Sequence, residues 1–320
     1  MNWTSKTLNS TNCSNDDFKF PVFIHSYSLI MSFGLIGNAV ALYVFVKLTH
    51  RKTANTVFMS NLAISDLFFT LTLPYRILYY SQREWKLSSF LCRITTYAFY
   101  MNLYSSIFFL MALSIFRYIA VLHPLRSKSL VTLRRALLVS LGIWIFVGLA
   151  CIPFLRASSQ LRDGRYRCFE PTVMSWQQIL KMNYFALVVG FLLPFLTIIA
   201  CYTRIIQRLR TSGETLQSNM HTRRKSIYMI VFVLSSFLFC FLPYHIIRTV
   251  HLHLMVQQRT CQVITVVIEK MIVVTICLAA ANSCLNPLLY YFVGQNFQNT
   301  IKTSTVHRSR STNSRIIVSQ

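Results

Sequence analysis

Seven long apolar runs dominate this sequence and leave almost no chain for anything else. They lie at about residues 22–46, 54–80, 90–122, 135–155, 182–207, 227–254 and 263–292. Crossing a hydrocarbon core takes ~20 mostly apolar residues in a helix, and each run meets that length. The chain is 54% hydrophobic and 12% charged, about half the charge fraction usual for a soluble domain. The expectation is an all-α membrane protein, a seven-transmembrane helix bundle spanning residues 21–293. Before it come a polar N-terminus (1–20) and after it a tail (294–320). There Phe297 and Ile301, four apart, predict a short amphipathic surface helix ahead of a disordered Ser/Thr/Arg-rich end.

A net charge of +24 in a soluble protein would point to nucleic acid. Here the basic residues sit at span ends, not in a patch interleaved with aromatics, so no nucleic-acid partner is expected. With the N-terminus outside, 18 Lys and Arg fall on the inner side and 14 on the outer side or in the outer half of the spans. Of the acids, Glu214 alone is inside, six lie outside and Asp66 is mid-span. Short-loop Lys and Arg mark the cytoplasmic side, and the clusters Arg51-Lys52, Arg134-Arg135 and Arg223-Arg224-Lys225 agree. Glycosylation sequons at Asn2, Asn9 and Asn12 fit the same orientation, which predicts a multi-pass plasma-membrane protein with an extracellular N-terminus. No secretory leader pattern is seen, so the first span is expected to serve as an uncleaved anchor. Of nine cysteines, Cys151, Cys201, Cys240, Cys277 and Cys284 fall within spans as buried thiols. Cys13, Cys92, Cys168 and Cys261 fall on the predicted outer side, where an even number fits two disulfides.

Ionisable groups deep in a span are costly and mark function by default. Asp66 is mid-span, with Asn38, Asn102, Ser106, Asn282, Ser283 and Asn286 as possible neighbours. The set reads either as a helix-packing hydrogen bond or as a hydrated pocket with room for a sodium ion. Pro74, Pro194, Pro243 and Pro287 are expected to kink spans two, five, six and seven. Arg117 comes 25 residues after Cys92, or ~37 Å along a helix, which places it at the inner end of span three. Ordinary interfacial snorkelling is the competing account of it. On the outer half, Arg76 lies ~15 Å beyond Asp66. Tyr244, Arg248 and His251 share one face of span six, as do Tyr100 and Tyr104 on span three. Arginines interleaved with tyrosines describe a cavity for an anionic, partly apolar molecule, unless the arginines reach outward to lipid phosphates.

Enzyme chemistry has little support. His251 and His253, two apart, make a poor metal pair, and His245 reads as a pocket or packing residue. Asp66 has no second carboxylate, and the chain has no phosphate-cradling glycine loop; Gly164 reads as a turn. No metal or cofactor is expected. A secondary transporter would show repeated halves, and none is seen.

Taken together, single residues in register resemble the rhodopsin-like G-protein-coupled receptors. The resemblance rests on Gly37-Asn38, Leu62-Ala63-Ile64-Ser65-Asp66-Leu67, Trp144, Pro194 with Tyr202, and Asn286-Pro287-Leu288-Leu289-Tyr290. It implies a Cys92–Cys168 disulfide joining span three to the second outer loop. Two departures stand out. Phe116-Arg117-Tyr118 lacks the acid that normally precedes the arginine, which bears on restraint of basal activity. Phe239-Cys240-Phe241-Leu242-Pro243 has phenylalanine where a tryptophan toggle often sits. Phe99 replaces the aspartate of amine receptors, and span seven has no mid-membrane lysine for retinal.

Arg167-Cys168-Phe169-Glu170-Pro171, Pro243-Tyr244-His245-Ile246 running on to His253, Asn102-Leu103-Tyr104-Ser105-Ser106, and Met182-Asn183-Tyr184 with Leu187-Val188-Val189-Gly190 resemble the cysteinyl leukotriene receptors. That resemblance implies an anionic lipid ligand met by Arg76, Tyr100, Tyr104, Tyr244 and Arg248, with His251 on the same face. It also implies a heterotrimeric G protein of the Gq class acting through phospholipase C and calcium. Arg117, Tyr118, Tyr202, Pro243 and Tyr290 would serve activation and coupling. A nucleotide, a dicarboxylate or another lipid acid is the alternative ligand. Apart from the resemblance, Cys13 is left to pair with Cys261 or with another partner, and Thr300, Thr303, Ser304, Thr305, Ser309, Ser311 and Thr312 read either as phosphorylation sites that recruit arrestin or as a plain disordered polar tail.

Overall fold

The computed structural model describes residues 15–49, 52–156, 159–162, 164–169, 176–211, 218–257 and 263–293. Among them seven helices are long and apolar enough to cross a membrane: Asp16–Leu48, Ala54–Gln82, Ser89–Leu122, Leu133–Arg156, Trp176–Arg210, Ser226–Val256 and Val263–Tyr291. All seven expected spans are present, called spans one to seven below. Several run past the apolar core, because a helix continues into polar turns once its hydrogen-bond ladder is established. Span one begins at Asp16 rather than near residue 21, with Asp16 and Asp17 in its first turn, where the helix dipole favours negative charge. Span five begins at Trp176, ahead of the apolar run at 182–207. Helix also reaches Thr211 and resumes at Ser218, so much of the expected inner loop of 208–226 is helical. The surface helix after span seven, the tail sites, the three sequons and the Cys13–Cys261 pair lie outside the described residues.

Spans one, two and seven pack at close range through small residues. A Cβ on Gly34 would stand 2.9 Å from Thr70 Cγ2, and one on Gly37 would stand 2.8 Å from Pro287 Cγ. With no hydrophobic drive between helices in lipid, such close approach supplies the van der Waals contact that holds a bundle together. Asn38 adds a tie, its Nδ2 donating to Gly34 O at 2.9 Å and to Ser283 O at 2.8 Å. Trp144 Nε1 on span four donates to Asn61 Oδ1 on span two at 2.7 Å.

The prolines distort their spans in different ways. Span two breaks at Leu71–Thr72, ahead of Pro74, where Thr72 Oγ1 donates to Phe69 O at 2.7 Å. The hydroxyl caps a backbone carbonyl where the helix ladder is broken. Spans five and six each carry a wide turn before proline, Ala186–Leu192 ahead of Pro194 and Ser236–Phe241 ahead of Pro243. Wide turns of this kind concentrate at functional positions. At Pro287 the helix runs on without a break.

Beyond the spans, a hairpin pairs β1 (Gln160–Arg162) with β2 (Arg165–Arg167) in antiparallel register, Leu161 opposite Tyr166. Gly164 turns it with φ +74°, a conformation that glycine adopts without steric cost. Cys168 follows β2 and forms a disulfide with Cys92, the Cα atoms 6.0 Å apart. This end of the bundle is called the disulfide end below, and the opposite one the Arg117 end. Between spans three and four a short helix, Pro124–Leu130, starts on its proline; the sequence reading did not anticipate it.

Candidate functional site

Three polar constellations run through the bundle. The middle one centres on Asp66, fully buried on span two. Its Oδ1 accepts from Asn102 Nδ2 on span three, and its Oδ2 from Asn286 Nδ2 on span seven, each at 2.8 Å. Asn102 Nδ2 also reaches Ser65 Oγ at 3.2 Å, and Ser65 pairs with Ser105 at 2.6 Å. One carboxyl group therefore joins three spans. The expected neighbours separate here: Asn38 and Ser283 belong to the tie between spans one and seven. Ser106 Oγ, both side-chain polar atoms of Asn282, and Asn286 Oδ1 are buried with no hydrogen-bond partner among the described residues. Buried polar atoms are nearly always satisfied, often by water, so this region has hydrogen-bonding capacity to spare.

At the disulfide end, Arg248 on span six is half-buried, within electrostatic reach of the Tyr100, Tyr104 and Tyr244 hydroxyls. Tyr100 stacks flat on Phe154, centroids 3.6 Å apart, and Phe99 packs edge-on against both Tyr100 (5.2 Å) and Tyr244 (6.3 Å). Tyr104 lies against Gly190, where a Cβ would come within 2.8 Å of its ring, and 6.0 Å from the His245 ring. His251 is beside Arg248 and 6.4 Å from Trp176; its Nδ1 is buried without a hydrogen-bond partner among the described residues. The structure thus brings Tyr100, Tyr104, Tyr244, Arg248 and His251 together.

Arg76 has a different setting. It is 5% exposed, its Nη2 donates to Thr95 O at 2.8 Å, and its guanidinium lies 4.2 Å from the Phe169 ring centre. Phe99 at 5.5 Å and Tyr27 at 5.9 Å complete the enclosure. Phe99 thus touches both Arg76 and the tyrosines of the Arg248 group. Phe169 holds φ +70°, a strained conformation for a bulky residue. Its ring is clasped by Tyr79 (5.4 Å), Trp85 (5.6 Å) and Tyr80 (6.2 Å). Cation–π contacts of this desolvated kind contribute ~2 kcal/mol. In this structure Arg76 braces the loop after the disulfide, and its side chain does not stand free for a ligand.

At the Arg117 end, Phe116 turns its ring edge-on to Phe58, centroids 4.8 Å apart. Arg117 Nη2 donates to Ser226 Oγ at 2.7 Å. A neutral hydroxyl on span six thus engages the arginine in a sequence whose preceding residue is not acidic. Tyr202 on span five accepts from Ser114 Oγ at 2.7 Å and lies near Arg117. Tyr290 is fully buried, edge-on to Phe45 at 5.4 Å. Tyr118 is half-buried, 5.8 Å from the His123 ring. Pro243 lies in the first turn of Leu242–Val256, at the junction where span six can bend.

Phe154, Trp176, Gly190 and Ser226 were not singled out by sequence reasoning as site residues. Gly190 stood within a recognised fragment, and Ser226 follows the basic cluster of span six. Phe154 lies in a tight turn, Ile152–Arg156, and carries no sequence signal. No group of three or more His, Cys, Asp or Glu capable of holding a metal exists among the described residues.

Residues 37–290 match the family described as "7 transmembrane receptor (rhodopsin family)". Cysteinyl leukotriene receptor 1 of Mus musculus is 44% identical over 313 residues, covering 96% of this chain and 88% of that protein. Cysteinyl leukotriene receptor 2 of Homo sapiens is 40% identical over 309 residues, 95% of this chain and 87% of the relative. Lysophosphatidic acid receptor 6 of Gallus gallus is 37% identical over 309 residues, 94% and 99% respectively. With seven spans, the Cys92–Cys168 disulfide and near full-length similarity, the chain belongs to the rhodopsin family of seven-transmembrane receptors: it is a multi-pass plasma-membrane receptor and not an enzyme.

Proposed function

We propose that this receptor binds cysteinyl leukotrienes, lipid conjugates that carry carboxylates, and signals through a heterotrimeric G protein of the Gq class. The observation that carries this reading is Arg248, half-buried among Tyr100, Tyr104 and Tyr244. A cation ringed by phenols and aromatic walls suits a carboxylate joined to an apolar chain. The N-terminus faces outward, so the disulfide end is extracellular and the Arg117 end cytoplasmic. The similarity to a lysophosphatidic acid receptor supports a second reading, another lipid acid in the same cavity. Intracellular calcium, recorded while leukotriene conjugates, lysophosphatidic acid, nucleotides and dicarboxylates are added separately, tests both. A nanomolar-range response to the conjugates alone supports the first; a response only to another anion replaces it.

The cavity assignment gives two expectations. Losing one carboxylate–arginine hydrogen bond removes ~1.5–3 kcal/mol, so Arg248→Ala should weaken agonist potency on the order of tenfold to a hundredfold. Unchanged potency would remove Arg248 from the site. Gly190→Ala should leave surface expression intact, since alanine favours helix over glycine by ~1 kcal/mol. The added methyl must nevertheless push the Tyr104 ring, and potency should fall severalfold. A variant with normal potency would show that Tyr104 does not line the ligand.

Coupling is proposed at the Arg117 end. Ligand binding can favour the open state only by its differential affinity; opening swings span six away and breaks the Arg117–Ser226 bond. Arg117, Tyr118, Tyr202 and Tyr290 then frame the crevice for the G protein. Leu125, 85% exposed on the short helix after span three, adds an apolar contact beside it. Ser226→Ala should raise ligand-independent nucleotide exchange severalfold, because a hydrogen bond to a charged group holding the closed state is gone. Basal exchange equal to wild type would show that this bond restrains nothing. We also place an allosteric sodium ion beside Asp66, with the unsatisfied Ser106 and Asn282 as neighbours. Sodium should then lower agonist affinity in the wild type and have no effect in Asp66→Asn; equal sodium dependence in both would dismiss the ion.

A further inference from the structure

Ser226, at the Arg117 end, sits in a sequence context that its hydrogen bond does not explain. It is the first residue of span six and 1% exposed, its hydroxyl accepting from Arg117 Nη2 at 2.7 Å. It follows Arg223-Arg224-Lys225 and precedes Ile227. Arginines three and two positions ahead of a serine, with an apolar residue behind it, form the charge pattern read by the acidic groove of a basophilic serine/threonine kinase. A run of cations at a span end marks orientation whatever follows it, so the register of the serine is what singles this run out. Arg134-Arg135 leads into Ala136 and Leu137, and Thr53 behind Arg51-Lys52 is engaged in capping its helix. The arginine that Ser226 meets also has no acid beside it in the sequence, since Phe116 precedes it and Tyr118 follows.

We propose that Ser226 is a phosphorylation site, and that a phosphate there supplies the acid that Phe116-Arg117-Tyr118 lacks, pairing with Arg117 to hold span six closed. The inference rests on the coupling account above, in which this end is cytoplasmic and span six swings away on opening. The serine oxygen attacks the γ-phosphorus of ATP, the bond from that phosphorus to the β–γ bridging oxygen breaks, and ADP leaves. The hydroxyl proton passes to the kinase's carboxylate base. The product carries a charge of about −1.5 to −2 at pH 7, and its oxygens can accept two parallel N–H bonds from a guanidinium where the hydroxyl accepts one. Arg117 also borders a cavity of about 360 Å³, which gives its side chain room to draw back as the phosphate enters. In the closed state Ser226 is covered, so a kinase reaches it only once span six has moved and the turns around the serine have unwound. That unwinding costs least near a helix end, and this helix starts at Ser218. Modification therefore selects receptors that have opened, and the ion pair then closes them.

The full-length receptor in lipid nanodiscs, incubated with ATP and the catalytic subunit of cyclic-AMP-dependent protein kinase as the basophilic probe, tests the site. The readouts are phosphopeptide mapping and ligand-independent nucleotide exchange on added G protein, neither of which depends on the agonist. Phosphate should be found on Ser226, and basal exchange should fall about tenfold as an ion pair with two parallel bonds replaces a single bond to a hydroxyl. Phosphatase treatment should restore it. Ser226→Ala should show no response to the kinase, which separates this site from acceptors elsewhere in the chain, and Ser226→Thr should regain the response. Arg223→Gln should lose the phosphate at Ser226. Ser226→Asp, which needs no kinase, should lower basal exchange below wild type. Kinase treatment that leaves Ser226 unmodified would overturn the proposal, as would phosphate on Ser226 with basal exchange unchanged or raised. Wild-type basal exchange in Ser226→Ala defeats only the restraint assigned above to the hydroxyl; a fall on phosphorylation still upholds the phosphate's role.

Discussion

Hydrocarbon offers a peptide group no hydrogen-bond partner, and every other feature of this receptor is arranged around that fact. It forces each crossing segment into a helix whose ladder is closed on itself. Where the ladder is interrupted ahead of Pro74, Thr72 turns both its N–H and its hydroxyl onto Phe69 O. The same constraint makes polar side chains meaningful. Asp66 is admitted only because two asparagines from other spans donate to its two oxygens, and the pairing that makes the acid tolerable also ties spans two, three and seven together.

Three arginines show how one residue type is put to different uses by its surroundings. Arg76 is enclosed by rings and a backbone carbonyl, and acts as a brace. Arg248 stands among the hydroxyls of Tyr100, Tyr104 and Tyr244, which do not neutralise it. Arg117 meets a neutral hydroxyl on a helix that can move away.

Much of this was legible in the sequence, because membrane spans are written in composition and length. The seven crossings, the turn at Gly164 and the Cys92–Cys168 pair emerged as expected, as did four of the five buried thiols, Cys284 being only half-buried. Span ends did not, since hydropathy marks where the hydrocarbon stops and the helical ladder continues beyond it. Residues sharing one helix face, such as Tyr244, Arg248 and His251, could be grouped from spacing alone. The setting of Arg76 could not: Phe169 lies 93 positions further along the chain and reaches it only through the disulfide-anchored loop. Ser226 was hidden for a related reason, as nothing local distinguishes a serine that meets Arg117 from one that faces a neighbouring turn.

The loop around Cys168 is held at four points of different chemistry. A disulfide fixes it to span three, a backbone bond joins Trp85 N to Tyr166 O at 2.8 Å, Arg167 pairs with Asp16 at 3.3 Å, and Phe169 is seated in its aromatic clasp. All four anchors lie on spans one to three or on the connection between two and three. The loop is therefore held along one side of the bundle only, and the side left without these anchors includes spans five and six, which carry the wide turns.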